Sequence, residues 1–128
     1  LFGRPQNAAY YPNRGFNGID CSGTAVLSYD GFVCTCMGAK DCDGANTGLI
    51  EGEKGYILVE NAGNSWGRAS LHLRNGEEDH AEDLPGVNRM VYELRDFVKA
   101  FDGNDPEALR EWRDESLEVM EILDRLRR

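Results

Sequence analysis

The sequence predicts an α+β domain, a predominantly antiparallel open sheet of about six strands with two C-terminal helices packed on one face. Three observations predict it. Asp30-Gly31, Lys54-Gly55 and Asn75-Gly76 each fall between runs of alternating apolar residues, the pattern of tight hairpins with a residue at positive φ. The stretch from Leu49 to Asn61 reads as strand, turn, strand. Helical periodicity is confined to the end of the chain, so strands come first and helices last, an order that argues against the strand–helix alternation of a nucleotide-binding fold.

Residues 6–12 form the first strand candidate, stopped by the turn-forming cluster Pro12-Asn13-Arg14-Gly15, and a loop runs on to Asp20. Residues 21–30 and 32–40 then pair through Asp30-Gly31, with Ala25, Leu27 and Tyr29 on one face and Thr24, Val26 and Ser28 on the other. Residues 56–61 and 68–74 are the next two strands. In the second of these Ala69, Leu71 and Leu73 alternate with Ser70, His72 and Arg74, which predicts a wetter outer face. Residues 77–84 read as a polar edge strand whose charge discourages edge-to-edge pairing. His72 and His80 are expected at the surface rather than in catalysis. The first helix starts from an Asn88 cap, carries Val91, Leu94, Phe97, Val98 and Phe101 on one stripe, and ends at Asp102-Gly103. The second has Asp105 as cap and Pro106 at its first position, and is expected to bury Leu109, Trp112, Val119, Met120, Leu123 and Leu126. Arg125, Arg127 and Arg128 suit its negative pole.

A chain of 128 residues is long enough to bury a core as one domain. Its net charge of -9 and its pI near 4.6 set it against phosphate backbones and anionic lipid, so neither nucleic acid nor a membrane surface is expected as a partner. No run approaches the roughly eighteen apolar residues of a membrane span. No charged leader with an apolar segment behind it marks a signal peptide, and the default expectation is the cytoplasm. Leu1 is not an initiator methionine, and a larger parent protein is expected. Cys34 and Cys36 share one face of a strand, while His72 and His80 lie far along the chain from all four cysteines. That spacing predicts reduced, packed thiols, with no disulfide and no metal site.

The chain holds no G-x-G-x-x-G after a strand, no P-loop and no nucleophile elbow, so it offers no catalytic and no cofactor-binding residue. Lys54 sits at a hairpin turn and reads as structural. Residues 40–48 are polar, glycine-bearing and placed where a strand ends, a position that suits binding groups and equally suits a solvated turn.

Several segments, in order, resemble one family. They are Asp20 to Phe32, Ile50-Glu51-Gly52-Glu53-Lys54-Gly55-Tyr56-Ile57, Asn88-Arg89-Met90 with Tyr92-Glu93 and Phe97, and Ser116-Leu117 with Met120, Ile122 and Leu123. Together they are similar to the C-terminal domain of the Gfo/Idh/MocA oxidoreductases, relatives of glucose-fructose oxidoreductase and inositol dehydrogenase. The resemblance implies that residues 1–128 are one such domain of a larger enzyme. Its N-terminal Rossmann domain would hold NAD or NADP and a catalytic lysine in a Glu-Lys-Pro motif. Hydride would pass between a hydroxyl-bearing carbon of a sugar, cyclitol or related polyol and the nicotinamide. The chain itself would bind no cofactor and would supply substrate walls and an oligomer surface. In relatives the loop corresponding to residues 40–47 reaches toward the substrate, which implies Lys40, Asp41 and Asn46 as partners for polyol hydroxyls. It also implies a homodimer through the sheet face opposite the helices, where Thr24, Val26, Val33, Thr35 and Met37 present side chains. The different class left open is a standalone, non-enzymatic dimerisation or small-molecule-binding domain.

Overall fold

The computed structural model describes residues 2–61, 67–82, 88 and 90–127. Alternating apolar runs closed by tight turns make β1 (Asn7–Arg14), β2 (Asp20–Ser28) and β3 (Val33–Ala39) into an antiparallel sheet of order β1-β2-β3. β4 (Thr47–Gly52), β5 (Gly55–Glu60), β6 (Arg68–Leu73) and β7 (Glu78–Glu82) form a second antiparallel meander, and α1 (Met90–Asp102) and α2 (Pro106–Leu126) follow. The α+β class and the antiparallel pairing are as expected. Among the described residues the expected sheet of about six strands is seven strands in two ladders, because the polar segment before Thr47 forms no strand and β4 pairs with β5 alone. The chain divides into two compact units, Leu1–Asp43 with Tyr92–Arg128, and Gly44–Val91.

In the first unit β1 runs through Pro12 to Arg14 instead of stopping there. The ladder tolerates the proline because β1 is an edge strand, where a missing N–H leaves no inner partner unpaired. Gly31 takes the left-handed turn position at φ +85°, and Tyr29 and Phe32 on either side of it stack with ring centroids 4.5 Å apart. Phe2 joins that cluster, 5.3 Å from Phe32. Register places Ala8, Tyr10, Ala25, Leu27, Cys34 and Cys36 on one face, and Tyr11, Thr24, Val26, Thr35 and Met37 on the other. α2 lies against β1, on the face that carries Tyr10 and Ala25.

Both helix starts are as the sequence predicts. Asn88 Oδ1 accepts the N–H of Met90 at 3.1 Å, and Asp105 Oδ1 accepts those of Glu107 and Ala108 at 3.2 and 3.1 Å. The expected burial of the helical stripes is corrected. Phe101 is 69% exposed and Met120 52%, and the buried apolar residues among the described ones are Ala100 and Pro5. Periodicity tells which side of a helix is apolar but not what covers it, and α2 meets one edge strand of a narrow sheet.

In the second unit Gly76 turns at φ +88° and Gly55 lies at φ +159°, positive as expected and rarely adopted by L side chains. Glycine is needed at residue 55 for a second reason as well, since a Cβ there would run into the carbonyl of His72. His72 is held on the sheet surface by the Tyr56 ring, stacked at 4.6 Å, and by Glu78 Oε1, 3.0 Å from its Nδ1. Residues 62–66, the end of the expected edge strand at 83 and 84, and Arg89 lie outside the described residues. No helix among the described residues is long and apolar enough to cross a membrane.

Candidate functional site

A polar cleft of the first unit begins with a defect in its ladder. Asn13 pairs with Ser22 but Arg14 pairs with Asp20, so Cys21 is an extra residue on β2. One inserted residue reverses the side-chain parity of the strand beyond it. Asp20 thereby shares a face with Arg14 and Tyr10 instead of with Ser22. The bulge also fixes the end of β3, because the Cys21 carbonyl accepts the backbone N–H of Lys40 at 2.8 Å. Lys40 is thus tied to the residue that re-aims Asp20.

Tyr10 crosses the sheet toward this point. Its ring lies over Gly23, where a Cβ would collide with the phenol, and its hydroxyl donates to Asp20 Oδ2 at 2.7 Å. Tyr10, Pro12, Arg14, Asp20, Ala25 and Lys40 line a cleft of about 600 Å3, closed on the helical side by Leu123, Leu126 and Arg127. Arg14 Nη1 also donates to the carbonyl of Gly18, which anchors the turn between β1 and β2.

The charges favour one protonation pattern. The Tyr10 hydrogen bond, the Asp20 backbone N–H and the nearby Lys40 and Arg14 cations hold the Asp20 carboxyl below its ordinary value of 3.8, with desolvation opposing them. The hydrogen bond to that carboxylate, then desolvation and the carboxylate's charge, push the Tyr10 phenol above 10.0. At neutral pH the cleft therefore presents a carboxylate with free lone pairs, a neutral phenol and three cations, Arg14, Lys40 and Arg127, against an apolar wall. This set binds and orients hydroxyl groups, and it contains no group poised to take a proton at pH 7.

Of the residues expected from the sequence, Lys40 lines the cleft. Asp41 is exposed beside it in the chain and does not line the cleft. Asn46 is exposed in the second unit, just before β4. Sequence reasoning missed Tyr10, Arg14 and Asp20. The one available signal was the glycine at residue 23 inside an otherwise β-forming run, which marks a bulge or a close approach.

Among the described residues no three histidine, cysteine or acidic side chains cluster to hold a metal ion. At the start of α2 the free N–H groups that would meet a pyrophosphate are taken by the Asp105 carboxylate, which repels an anion.

No family model matches the chain. It is 27% identical over 128 residues to the scyllo-inositol 2-dehydrogenase (NADP(+)) IolU of Bacillus subtilis (strain 168), a match spanning all of this chain and 39% of that protein. It is 24% identical over 102 residues to the uncharacterized oxidoreductase YgjR of Escherichia coli (strain K12), covering 80% of this chain and 31% of the relative. The chain thus spans well under half the length of the curated relatives it matches. Both are oxidoreductases, and they bear out the resemblance to the Gfo/Idh/MocA oxidoreductases read from the sequence.

Proposed function

We propose that the chain is the C-terminal, substrate-binding and dimerisation domain of an NAD(P)-dependent oxidoreductase that acts on a sugar, cyclitol or related polyol in the cytoplasm. The observation that carries this reading is the bulge-built cleft. A polyol offers several hydroxyl groups and a C–H face. Asp20 accepts from hydroxyls, Arg14 and Lys40 donate to them, and Ala25, Leu123 and Leu126 give the C–H face an apolar wall. The activity in the name of one relative, dehydrogenation of an inositol with NADP, points the same way. A nicotinamide cofactor would be held by a Rossmann domain in the parent, where it would accept or return hydride; the part of this chain is to hold the polyol and keep Tyr10 neutral beside Asp20.

The test is made on the full-length parent. Lys40→Ala removes one charged donor, and a lost hydrogen bond to a charged group lowers kcat/KM for a cyclitol by about 10- to 100-fold. The melting temperature should hold, because Lys40 is exposed and its structural tie is through backbone. An unchanged kcat/KM across a panel of sugars and cyclitols would remove the cleft from the substrate site.

A further inference from the structure

On the same face of the first sheet as the cleft, along its β3 edge, stand two thiols whose chemistry a polyol site does not use. Cys34 and Cys36 are alternate residues of β3 on the face that carries Tyr10, Cys36 directly opposite Ala25 and Cys34 opposite Leu27. Their Sγ atoms are 4.0 Å apart, Cys34 half-buried and Cys36 exposed. Neither is in a disulfide. A strand sets alternate Cα atoms about 6.6 to 6.8 Å apart, the upper limit for a disulfide, so extended backbone works against direct bonding of the two sulfurs. A shared central atom is another matter. Bonds of about 2.3 Å from one pyramidal atom to each sulfur need the pair about half an ångström closer than their 4.0 Å, which a small rotation about χ1 of either thiol supplies. No third ligating side chain joins them among the described residues. That selects against zinc, which wants four ligands, and for a soft centre that two thiolates satisfy.

We propose that Cys34-Thr35-Cys36 is a two-thiol chelating site for a soft, thiophilic centre of the trivalent arsenic class. The reaction is a condensation without redox change. An arsenic(III) oxide, R–As=O, meets two thiols; two As–S bonds form, the As=O bond is lost, and the oxygen leaves as water with both thiol protons. Burial and the neighbouring Cys34 raise the Cys36 thiol above its ordinary value of 9.0, which keeps that sulfur a thiol at neutral pH. The site is independent of the polyol reading.

Phenylarsine oxide is the probe, titrated into the chain and followed by intact-mass spectrometry. One equivalent should bind per chain with loss of one water. The adduct should survive excess glutathione and be stripped by a small dithiol, because only the second As–S bond, made at high effective concentration, resists a monothiol. Cys34→Ser and Cys36→Ser should each weaken binding by about 100-fold or more, while Cys21→Ser and Cys42→Ser should leave it unchanged. Removal of the adduct by glutathione, or retention of tight binding in Cys36→Ser, would overturn the site. The glutathione arm uses the unmodified chain, so it decides even where a serine variant folds poorly.

Discussion

Tyr10 and Asp20 meet through a hydrogen bond that no periodicity announces. The two residues are ten apart and sit on different strands, and the contact exists because Cys21 bulges and Gly23 leaves room for a ring. Their linked shifts have opposite signs with pH. Asp20, lowered below 3.8, adds stability that is present above that value and is lost as pH falls through its folded value. Tyr10, raised above 10.0, adds stability that is present below that value and is lost as pH rises through its folded value. Tyr10→Phe removes the largest cause of the Asp20 shift, so the carboxyl should titrate closer to 3.8 in the variant, read from its side-chain carbon resonance. An Asp20 midpoint indifferent to Tyr10→Phe would break the pair as described. Lys40 was legible in the sequence because a polar segment after a strand is a local signal. Asp20 was not, because its orientation depends on how β1 and β2 register, and a slip of one residue turns a side chain to the other face.

The helices show the same division between local and non-local information. Asp105-Pro106 and Asn88 were legible as caps, since a cap is a bond between neighbours in the chain, and both bonds are present. Asp105→Ala should therefore lower stability by about 1 kcal/mol with little effect from Asp105→Asn, measured by urea unfolding. Equal unfolding midpoints for Asp105→Ala and the unmodified chain would mean that α2 does not depend on its cap. The hairpins through Gly31 and Gly76 were legible for the same reason. The cover of the apolar stripes was not. Val91, Leu94, Phe97 and Phe101 repeat at helical spacing whether a sheet, a second chain or another domain lies against them, and here all four stay exposed. Gly55 is a mixed case: its hairpin and its positive φ were legible, but the His72 carbonyl it must also clear was not, because that carbonyl belongs to another strand.

At the scale of the whole molecule, apolar surface left open by the fold asks for a partner. The first sheet meets α2 on one face, and on the other its register lines up Tyr11, Thr24, Val26, Val33, Thr35 and Met37. Tyr11 is 65% exposed, Val33 62% and Met37 82%. The acidic side chains that give the chain its charge of -9 are absent from this row, so two copies bring no carboxylates together by pairing it. A C2 dimer buries the same patch twice, and a strand face with β-branched and flexible apolar residues is self-complementary in that way. The chain should accordingly show a doubled mass by light scattering at tens of micromolar, and Met37→Lys, which sets two like charges near the dyad, should return it to a single-chain mass. The competing account has the Rossmann domain of the parent over the same face. In that case the chain alone stays at one mass or aggregates without a defined size, the parent is indifferent to Met37→Lys in its oligomeric state, and the dimer is wrong.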